Sequence, residues 1–299
     1  MKKQQYKKLP LTVQEQINLL KSRGLQVPNE EKAERYLRNI GYYRLSGYMY
    51  PFLDDKKMHL YKKGVSFEDI LNVYRFDREL RLLVFSAIEK IEISVRSEIT
   101  NEFSIAYKDP FWYTDAKYFA NLSKHVEFLK NLINTVNRST DVFIKHFQST
   151  YIDVCPPIWV VSEILSMGQF SILYSITAKS NPRKAVADYF GIKEIVFVAW
   201  LHTLVYIRNI CAHHSRLWNK DLRVPVKLPK KIINQWLSSP NIANYKLYVV
   251  LAIINYLLDI ITPKHTFRQK VKDLLKKYPN TNITSMGFPK GWDSDSFWT

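Results

Sequence analysis

A chain of 299 residues with 46% hydrophobic and 24% charged residues is long enough to bury a sizeable core and has the composition of a soluble globular protein. Its 8 glycines are few for a turn-rich β architecture, and it contains neither GxGxxG nor GxxxxGK[ST], which argues against dinucleotide and P-loop nucleotide sites. The formal net charge of +17 favours a polyanionic partner, with nucleic acid the first candidate and an anionic membrane surface the second.

The two cysteines, Cys155 and Cys211, are too few for a disulfide framework. The basic segment MKKQQYKK is followed by no apolar stretch of the signal-peptide type, so we expect no signal peptide. The longest apolar run, residues 247–262, contains Asn255 and Asp259 and falls short of the ~20 residues that a bilayer span needs. We therefore predict a buried helix there, no membrane association and a cytoplasmic location.

Capping patterns predict two helices in the first part of the chain. Thr12 and Glu15 have capping-box spacing and begin a helix that ends near Gly24. Asn29 is a suitable N-cap for a second helix, which Gly41 ends. The aromatic-rich stretch YYRLSGYMYPF follows directly.

Residues 66–107 contain no Gly or Pro and repeat their apolar side chains every three or four positions, which is the helical period. The repeat includes Leu80, Leu83, Ala87, Ile91 and Val95. This segment predicts one very long helix or two helices that meet near Phe76–Asp77.

The rest of the chain also has mainly helical patterns, and strand patterns are scarce. The predicted helices cover 123–137, 155–177, 181–191, 193–215, 226–237, 244–261 and 267–278. We predict an all-α protein with three parts: an N-terminal helical and aromatic appendage at 1–65, a helical core at 66–225 and a C-terminal helical extension at 226–299.

The predicted helix 193–215 has two different stripes. At about 3.6 residues per turn, an apolar stripe contains Phe197, Leu201, Leu204, Val205 and Ala212. A polar and aromatic stripe contains His202, Tyr206, Asn209 and His213, at spacings of four, three and four. Arg208 lies about 140° round the helix from His213, and its long side chain narrows that gap.

The polar stripe has the groups that metal-independent RNA cleavage requires. A histidine such as His213 exchanges protons near neutral pH, and an arginine such as Arg208 clamps phosphate oxygens. Asn209 can orient either group. One imidazole would deprotonate the ribose 2′-OH or protonate the 5′-oxygen leaving group, while the guanidinium stabilises the transition state. We expect no metal or other cofactor.

Other interpretations of these residues stay open on spacing alone. Arg208 can pair with a carboxylate while the histidines serve as hydrogen-bonded helix residues. Cys211, His213 and His214 can ligate a metal, although adjacent histidines diverge by about 100° on a helix. Cys211 with a histidine can form a nucleophilic pair, although its position near the apolar side is typical of an inert thiol.

Several stretches resemble the Abi-like family, the AbiD/AbiF type of bacterial abortive-infection protein. In chain order they are NIGYYRLSGYMYPF (39–52), YRFDRELRLLVFSAIEKIEISVRSEI (74–99), PPIWVVSEILSMGQFSILY (156–174), RNICAHHSRLWN (208–219) and MGFPKGW (286–292). That family is similar to the HEPN superfamily, whose helical domains contain an R-x4–6-H motif, so the resemblance implies a HEPN-like helical bundle.

The resemblance implies phage defence through cleavage of cellular or phage RNA, with Arg208, Asn209 and His213 as the catalytic residues. His214, which would give an R-x5-H motif, Tyr206 and His202 are accessory candidates. The resemblance also implies an RNA partner or antitoxin, since some members of the family are encoded beside a structured non-coding RNA. The alternative functions are a non-catalytic protein that grips such an RNA, and an interaction protein that senses a phage component.

HEPN sites commonly combine two R-x-H motifs, whereas this chain has one clear copy. We therefore expect a homodimer in which two copies of helix 193–215 face each other, or a single site assisted by Arg96. Arg96 can instead form a structural ion pair with Glu92 or Asp188.

Some basic and aromatic residues are candidates for RNA contact outside the motif. Tyr43, Arg44 and Tyr48 can stack on unpaired bases or bind phosphate, although such an aromatic cluster also suits core packing. Lys230 and Lys231 belong to one of the lysine-rich segments that we predict to form an electrostatic groove.

Overall fold

The computed structural model describes residues 5, 8–230, 232–239 and 241–299, and these residues form an all-α protein, as predicted. The α-helices are α1 (Val13–Ser22), α2 (Glu30–Ile40), α3 (Tyr42–Met49), α4 (Phe67–Tyr107), α5 (Leu122–Arg138), α6 (Val142–Thr150), α7 (Ile158–Val161), α8 (Met167–Ile176), α9 (Asn181–Tyr189), α10 (Glu194–Ala212), α11 (Leu247–Ile261) and α12 (Phe267–Lys277). The sheet within the described ranges is one short antiparallel pair, β1 (Leu53–Asp55) and β2 (Leu60–Tyr61).

The first helices begin and end where their capping residues predict. The Thr12 side chain accepts a hydrogen bond from the Glu15 amide, and the Glu15 carboxylate accepts one from the Thr12 amide, which completes the capping box of α1. Asn29 accepts from the amide of Lys32 at the start of α2. Gly41 joins α2 to α3 with a φ of 89°, a conformation in which glycine avoids the strain of a side chain.

The chain divides into two compact units. The first unit comprises residues 1–79 and 274–281, and the second comprises 80–273 and 282–299. This division does not test the predicted boundaries at residues 65 and 225, which stay a prediction.

In the first unit, polar contacts join the first part of α4 to α3 and to the end of α12. Tyr48 is 2% exposed and donates its hydroxyl to the Asp77 carboxylate at 2.6 Å. Tyr278 donates to Glu79 at 2.8 Å, and Lys277 pairs with the same carboxylate at 2.7 Å. A buried polar pair such as Tyr48 with Asp77 fixes the orientation of α3 because either group alone would be costly to bury.

In the second unit, α10 and α11 supply much of the core. Eight residues of α10 and twelve of α11 are buried. Tyr256 of α11 donates to the Phe190 carbonyl at 3.1 Å and packs edge-on against Trp200 of α10. The predicted buried helix at 247–262 is therefore confirmed.

The long segment 66–107 is one continuous helix of 41 residues rather than two. By contrast, the predicted helix 155–177 is wrong as a single element, because α7 ends at Val161 and α8 begins after Ser166. Ser166 and Gln169 form a capping box that starts a new helix inside the apolar pattern.

The predicted helix 226–237 is also wrong. The described residues between Ser215 and Lys246 contain neither helix nor strand. Pro225 and Pro229 interrupt the backbone hydrogen bonds that a helix would need. Tertiary contacts hold this segment, since Trp236 stacks on Trp200 at 5.4 Å between ring centroids.

Among the described residues, α10 is the one helix long and apolar enough to cross a membrane. Core helices of soluble proteins have the same length and composition, and eight residues of α10 are buried inside the structure.

Candidate functional site

The polar face of α10 lies where the sequence pattern predicts it. Phe197, Leu201 and Leu204 of the predicted apolar stripe are buried. His202 and Asn209 of the polar stripe are exposed. The helix thus buries one side in the core of the second unit and presents histidine and amide groups on the other.

Helix α10 ends at Ala212, three residues before the predicted end at 215, so His213 and His214 lie outside the helix. The end is a Schellman motif, in which the Ser215 amide donates to the Ile210 carbonyl at 2.9 Å and the His214 amide donates to the Cys211 carbonyl at 3.1 Å. His213 is the C-cap residue.

His214 adopts a φ of 55° at the position of this motif where glycine is usual. The left-handed conformation costs a residue with a side chain roughly 1–2 kcal/mol. Strained backbone of this kind is concentrated at functional sites. Four other described residues with a side chain also have positive φ, so this conformation caps the helix, and the case for a site here depends on the R-x4-H spacing.

Arg208 leans from α10 towards α4. Its Nε atom lies 3.9 Å from Oε2 of Glu92, and its guanidinium carbon lies 5.6 Å from the centroid of the Phe85 ring. The side chain is 35% exposed. An ion pair at this distance and exposure holds the guanidinium weakly, which leaves it free to exchange Glu92 for another anion.

Arg208 lines a cavity of about 360 Å³ in the second unit. The other lining residues are Phe85, Glu89, Glu92, Ile93, Arg96 and Glu163. Three carboxylates against two guanidiniums make this cavity acidic on a strongly basic chain. A phosphate is therefore not expected to enter it deeply, and Arg208 would have to turn outward to bind one.

Arg96 is fixed far more firmly than Arg208. Its Nη2 atom donates to Glu92 at 2.5 Å and to the Leu165 carbonyl at 2.8 Å, and its guanidinium carbon lies 5.8 Å from the Phe170 ring centroid. Arg96 thus pairs with Glu92, whereas Asp188 pairs with Lys184. These contacts favour the structural interpretation of Arg96.

His213 is exposed, and within the described part of the chain its ring makes no hydrogen bond or ion pair. It is not among the residues that line the Arg208 cavity. Five helical residues separate the two by about 7.5 Å along the axis and about 140° around it. Arg208 and His213 therefore diverge within one chain, with the exposed Asn209 beside them.

The two accessory candidates on α10 have different surroundings. Tyr206 is half-buried, its hydroxyl is buried without a hydrogen-bond partner among the described residues, and the Lys220 ammonium lies 5.9 Å from its ring centroid. His202 keeps an exposed surface, but the protein around its imidazole partly desolvates the ring and lowers its pKa, and the nearby Lys124 cation adds to this. His202 lies about 16 Å along the axis from His213, which is too far to act on the same phosphate.

The RNA-contact candidates outside α10 separate into three kinds. Tyr43 is 92% exposed and Lys230 is exposed, so both are accessible to a partner. Arg44 is half-buried and has an interaction within the protein. Tyr48 does not fit base stacking, because it is buried against Asp77 and packs edge-on to Tyr74. Lys231 lies outside the described residues.

Among the residues that the structure describes, no three histidine, cysteine, aspartate or glutamate side chains group closely enough to hold a metal ion. Cys211 is buried at 5% exposure, as expected for a thiol near the apolar side of the helix. Burial of this kind is typical of an inert cysteine rather than a nucleophile.

Sequence patterns did not reveal the acidic cavity beside Arg208. The sequence indicated Glu92 only as an ion-pair partner for Arg96, four positions away on the same helix. It did not indicate the contact of Glu92 with Arg208, which joins α4 to α10. No sequence pattern indicated that Glu163 and Phe85 would line this cavity, because only tertiary packing brings them there.

Comparison with protein families gives one match. The family described as Abi-like protein matches residues 35–219, which is more than half of the chain. No curated protein and no solved structure matches the chain.

Proposed function

Since the chain belongs to the Abi-like protein family, whose membership indicates a role in abortive-infection phage defence, we propose that it is a metal-independent endoribonuclease of the HEPN type, close to the AbiD/AbiF proteins. The substrate would be cellular or phage RNA in the cytoplasm. The observation that carries the proposal is the last part of α10, which presents exposed Asn209 and His213 together with the weakly paired Arg208.

The reaction needs a base, an acid and a phosphate clamp. One His213 imidazole takes the proton of a ribose 2′-OH, whose oxygen attacks the adjacent phosphorus as the bond to the 5′-oxygen breaks. That 5′-oxygen receives a proton from solvent water. The Arg208 guanidinium stabilises the charge that builds up on the phosphorane-like transition state. The products are a 2′,3′-cyclic phosphate and a 5′-hydroxyl.

A dimer would bring together the guanidinium and the imidazole that lie apart within one chain. Within one copy, Arg208 leans into the α4 cavity while His213 projects elsewhere at the end of the helix. A two-fold pairing of α10 ends would bring His213 of one copy towards Arg208 of the other, so that the dimer would have two equivalent sites, each with one imidazole and one guanidinium. We therefore propose a homodimeric active form.

The test is cleavage of purified RNA in EDTA by wild type, Arg208→Ala and His213→Ala. Each substitution is expected to lower the cleavage rate at least about 100-fold, because each removes a group that acts in the transition state. Exposed residues of the same types provide matched controls, His146→Ala and Arg138→Ala, which should cleave like wild type. Mapping of the product ends checks for the 2′,3′-cyclic phosphate.

Induced expression in bacteria gives a second readout of the same variants. Wild type and both controls should arrest growth, whereas Arg208→Ala and His213→Ala should not. Equal arrest by all five proteins would contradict a catalytic role for these residues.

The weak pairing of Arg208 with Glu92 also fits a non-catalytic protein that grips a partner RNA. In that case Arg208→Ala would weaken RNA binding, yet purified wild type would leave every RNA intact in EDTA. The cleavage experiment therefore separates the two functions.

A further inference from the structure

Helix α3 in the first unit exposes two tyrosines on one face. Tyr43 is 92% exposed and Tyr50 is 50% exposed, whereas Leu45, Tyr48 and Met49 on the opposite side are buried. The backbone of Tyr50 is still in the right-handed helical region, so the seven-residue spacing places it almost directly below Tyr43. Two large aromatic side chains thus face outward in line.

Gly47 lies between these tyrosines on the same face and has no packing reason to be glycine. A Cβ atom added there would meet no atom within 4 Å, and its φ is not positive. Glycine in the middle of a helix is less stable than alanine. Because Gly47 has no side chain and faces open space, it leaves the helix backbone accessible to close approach of another molecule. We call Tyr43, Gly47 and Tyr50 the tyrosine stripe.

The charge around the stripe fits an anionic occupant. The Lys56 ammonium lies 5.2 Å from the centroid of the Tyr50 ring, and Lys62 Nζ lies 3.5 Å from the carbonyl oxygen of Pro51. Both lysines are exposed on the hairpin that follows α3. The first unit has 18 lysines and arginines against 10 aspartates and glutamates, so 87 residues contribute +8 of the net charge of +17.

The spacing of the stripe matches stacked bases. Seven helical residues span about 10.5 Å, which is about three times the 3.4 Å rise per nucleotide of one strand. Two unpaired bases therefore fit between the two tyrosines, above the surface that Gly47 leaves open. Aromatic side chains beside lysines are the usual means of binding single strands without sequence preference.

We infer that the tyrosine stripe is a binding site for single-stranded RNA, with two bases stacked between Tyr43 and Tyr50 and the backbone phosphates held by Lys56 and Lys62. The inference rests on the proposed function for its choice of RNA as the polyanion. It adds the substrate class, because a stacking site admits unpaired strands and excludes a duplex.

The experiment measures binding of a fluorescent 2′-O-methyl RNA 12-mer, single-stranded or in a duplex, to the full chain. Without 2′-hydroxyls the probe cannot be cleaved, so a failed nuclease proposal would leave this measurement intact. Tyr43→Ala and Tyr50→Ala are each expected to weaken binding of the single strand about tenfold, and Tyr43→Phe should bind like wild type. Tyr151→Ala, at an exposed tyrosine of the second unit, is the matched control.

Gly47→Ala separates binding from folding. It is expected to raise the melting temperature by about 3 °C, because alanine favours the helix, while weakening single-strand binding several-fold through its methyl group. Wild-type affinity for the single strand in Tyr43→Ala, Tyr50→Ala and Gly47→Ala would overturn the inference and would indicate that the stripe binds a protein partner instead. Equal losses on the single strand and the duplex would also overturn it, because phosphate contact alone would then explain the binding.

Discussion

The second unit holds its arginine and histidine side chains in two very different ways. Arg96 and His265 each have close partners: Arg96 binds Glu92 and a carbonyl, and His265 lies 3.0 Å from Asp259. At the end of α10, Arg208 has one ion pair at 3.9 Å and His213 is exposed. Groups of the first kind stabilise the fold, whereas groups of the second kind are available for a partner molecule.

The largest expected difference is between the two arginines that approach Glu92. Arg96→Ala leaves a carboxylate of 12% exposure without its close partner, and we expect it to lower the free energy of unfolding by about 3 kcal/mol. Arg208→Ala should cost less than about 1 kcal/mol, because its pair is longer and more exposed. Urea denaturation measures both. Equal losses would mean that Arg208 is as structural as Arg96.

A smaller difference in the free energy of unfolding is expected between variants of the two histidines, His265 and His213. His265 accepts a hydrogen bond from the Phe267 amide and bonds to Asp259, so His265→Ala should lower the free energy of unfolding by about 2 kcal/mol. His213→Ala should lower it by less than about 1 kcal/mol, since the exposed ring contributes little to packing. A loss above about 3 kcal/mol for His213→Ala would instead indicate a core role.

The smallest effect concerns pH. Burial lowers the pKa of His265 below its usual 6.5, although the Asp259 carboxylate opposes this. Near pH 6.5 the unfolded chain therefore binds more protons than the folded chain. The contribution of His265 to the free energy of unfolding is fully present above that pH and is lost as the pH falls below it. His265→Asn should flatten this decline when unfolding is measured from pH 7.5 to 5.0. An unchanged slope would show that His265 does not contribute to it.

Local chemistry explains which helices could be predicted. Thr12, Asn29 and Gly41 fix helix ends through their own side chains or backbone, so their positions are visible in the sequence. The break before Ser166 was missed because apolar residues continue through it, although Ser166 and Gln169 have capping-box spacing. The irregular segment around Trp236 depends on a contact with Trp200 that no local pattern contains.

The candidate site was predictable only in part. The spacing predicted one polar stripe containing His202 and Asn209, and both residues are exposed on α10. It did not predict that His214 would occupy the left-handed position of a Schellman motif, where glycine is usual. The acidic surroundings of Arg208 arise from Glu89 and Glu92 of α4, more than 100 positions earlier, and from Glu163, which only folding brings close.

The most direct test of the two-copy site is to mix Arg208→Ala with His213→Ala protein, each inactive alone, and to measure RNA cleavage in EDTA after subunit exchange. If Arg208 of one copy acts with His213 of the other, random pairing makes half of the dimers heterodimers, each with one intact site of two. The account predicts about one quarter of the wild-type cleavage rate. A mixture as inactive as its components, despite demonstrated exchange, would contradict it.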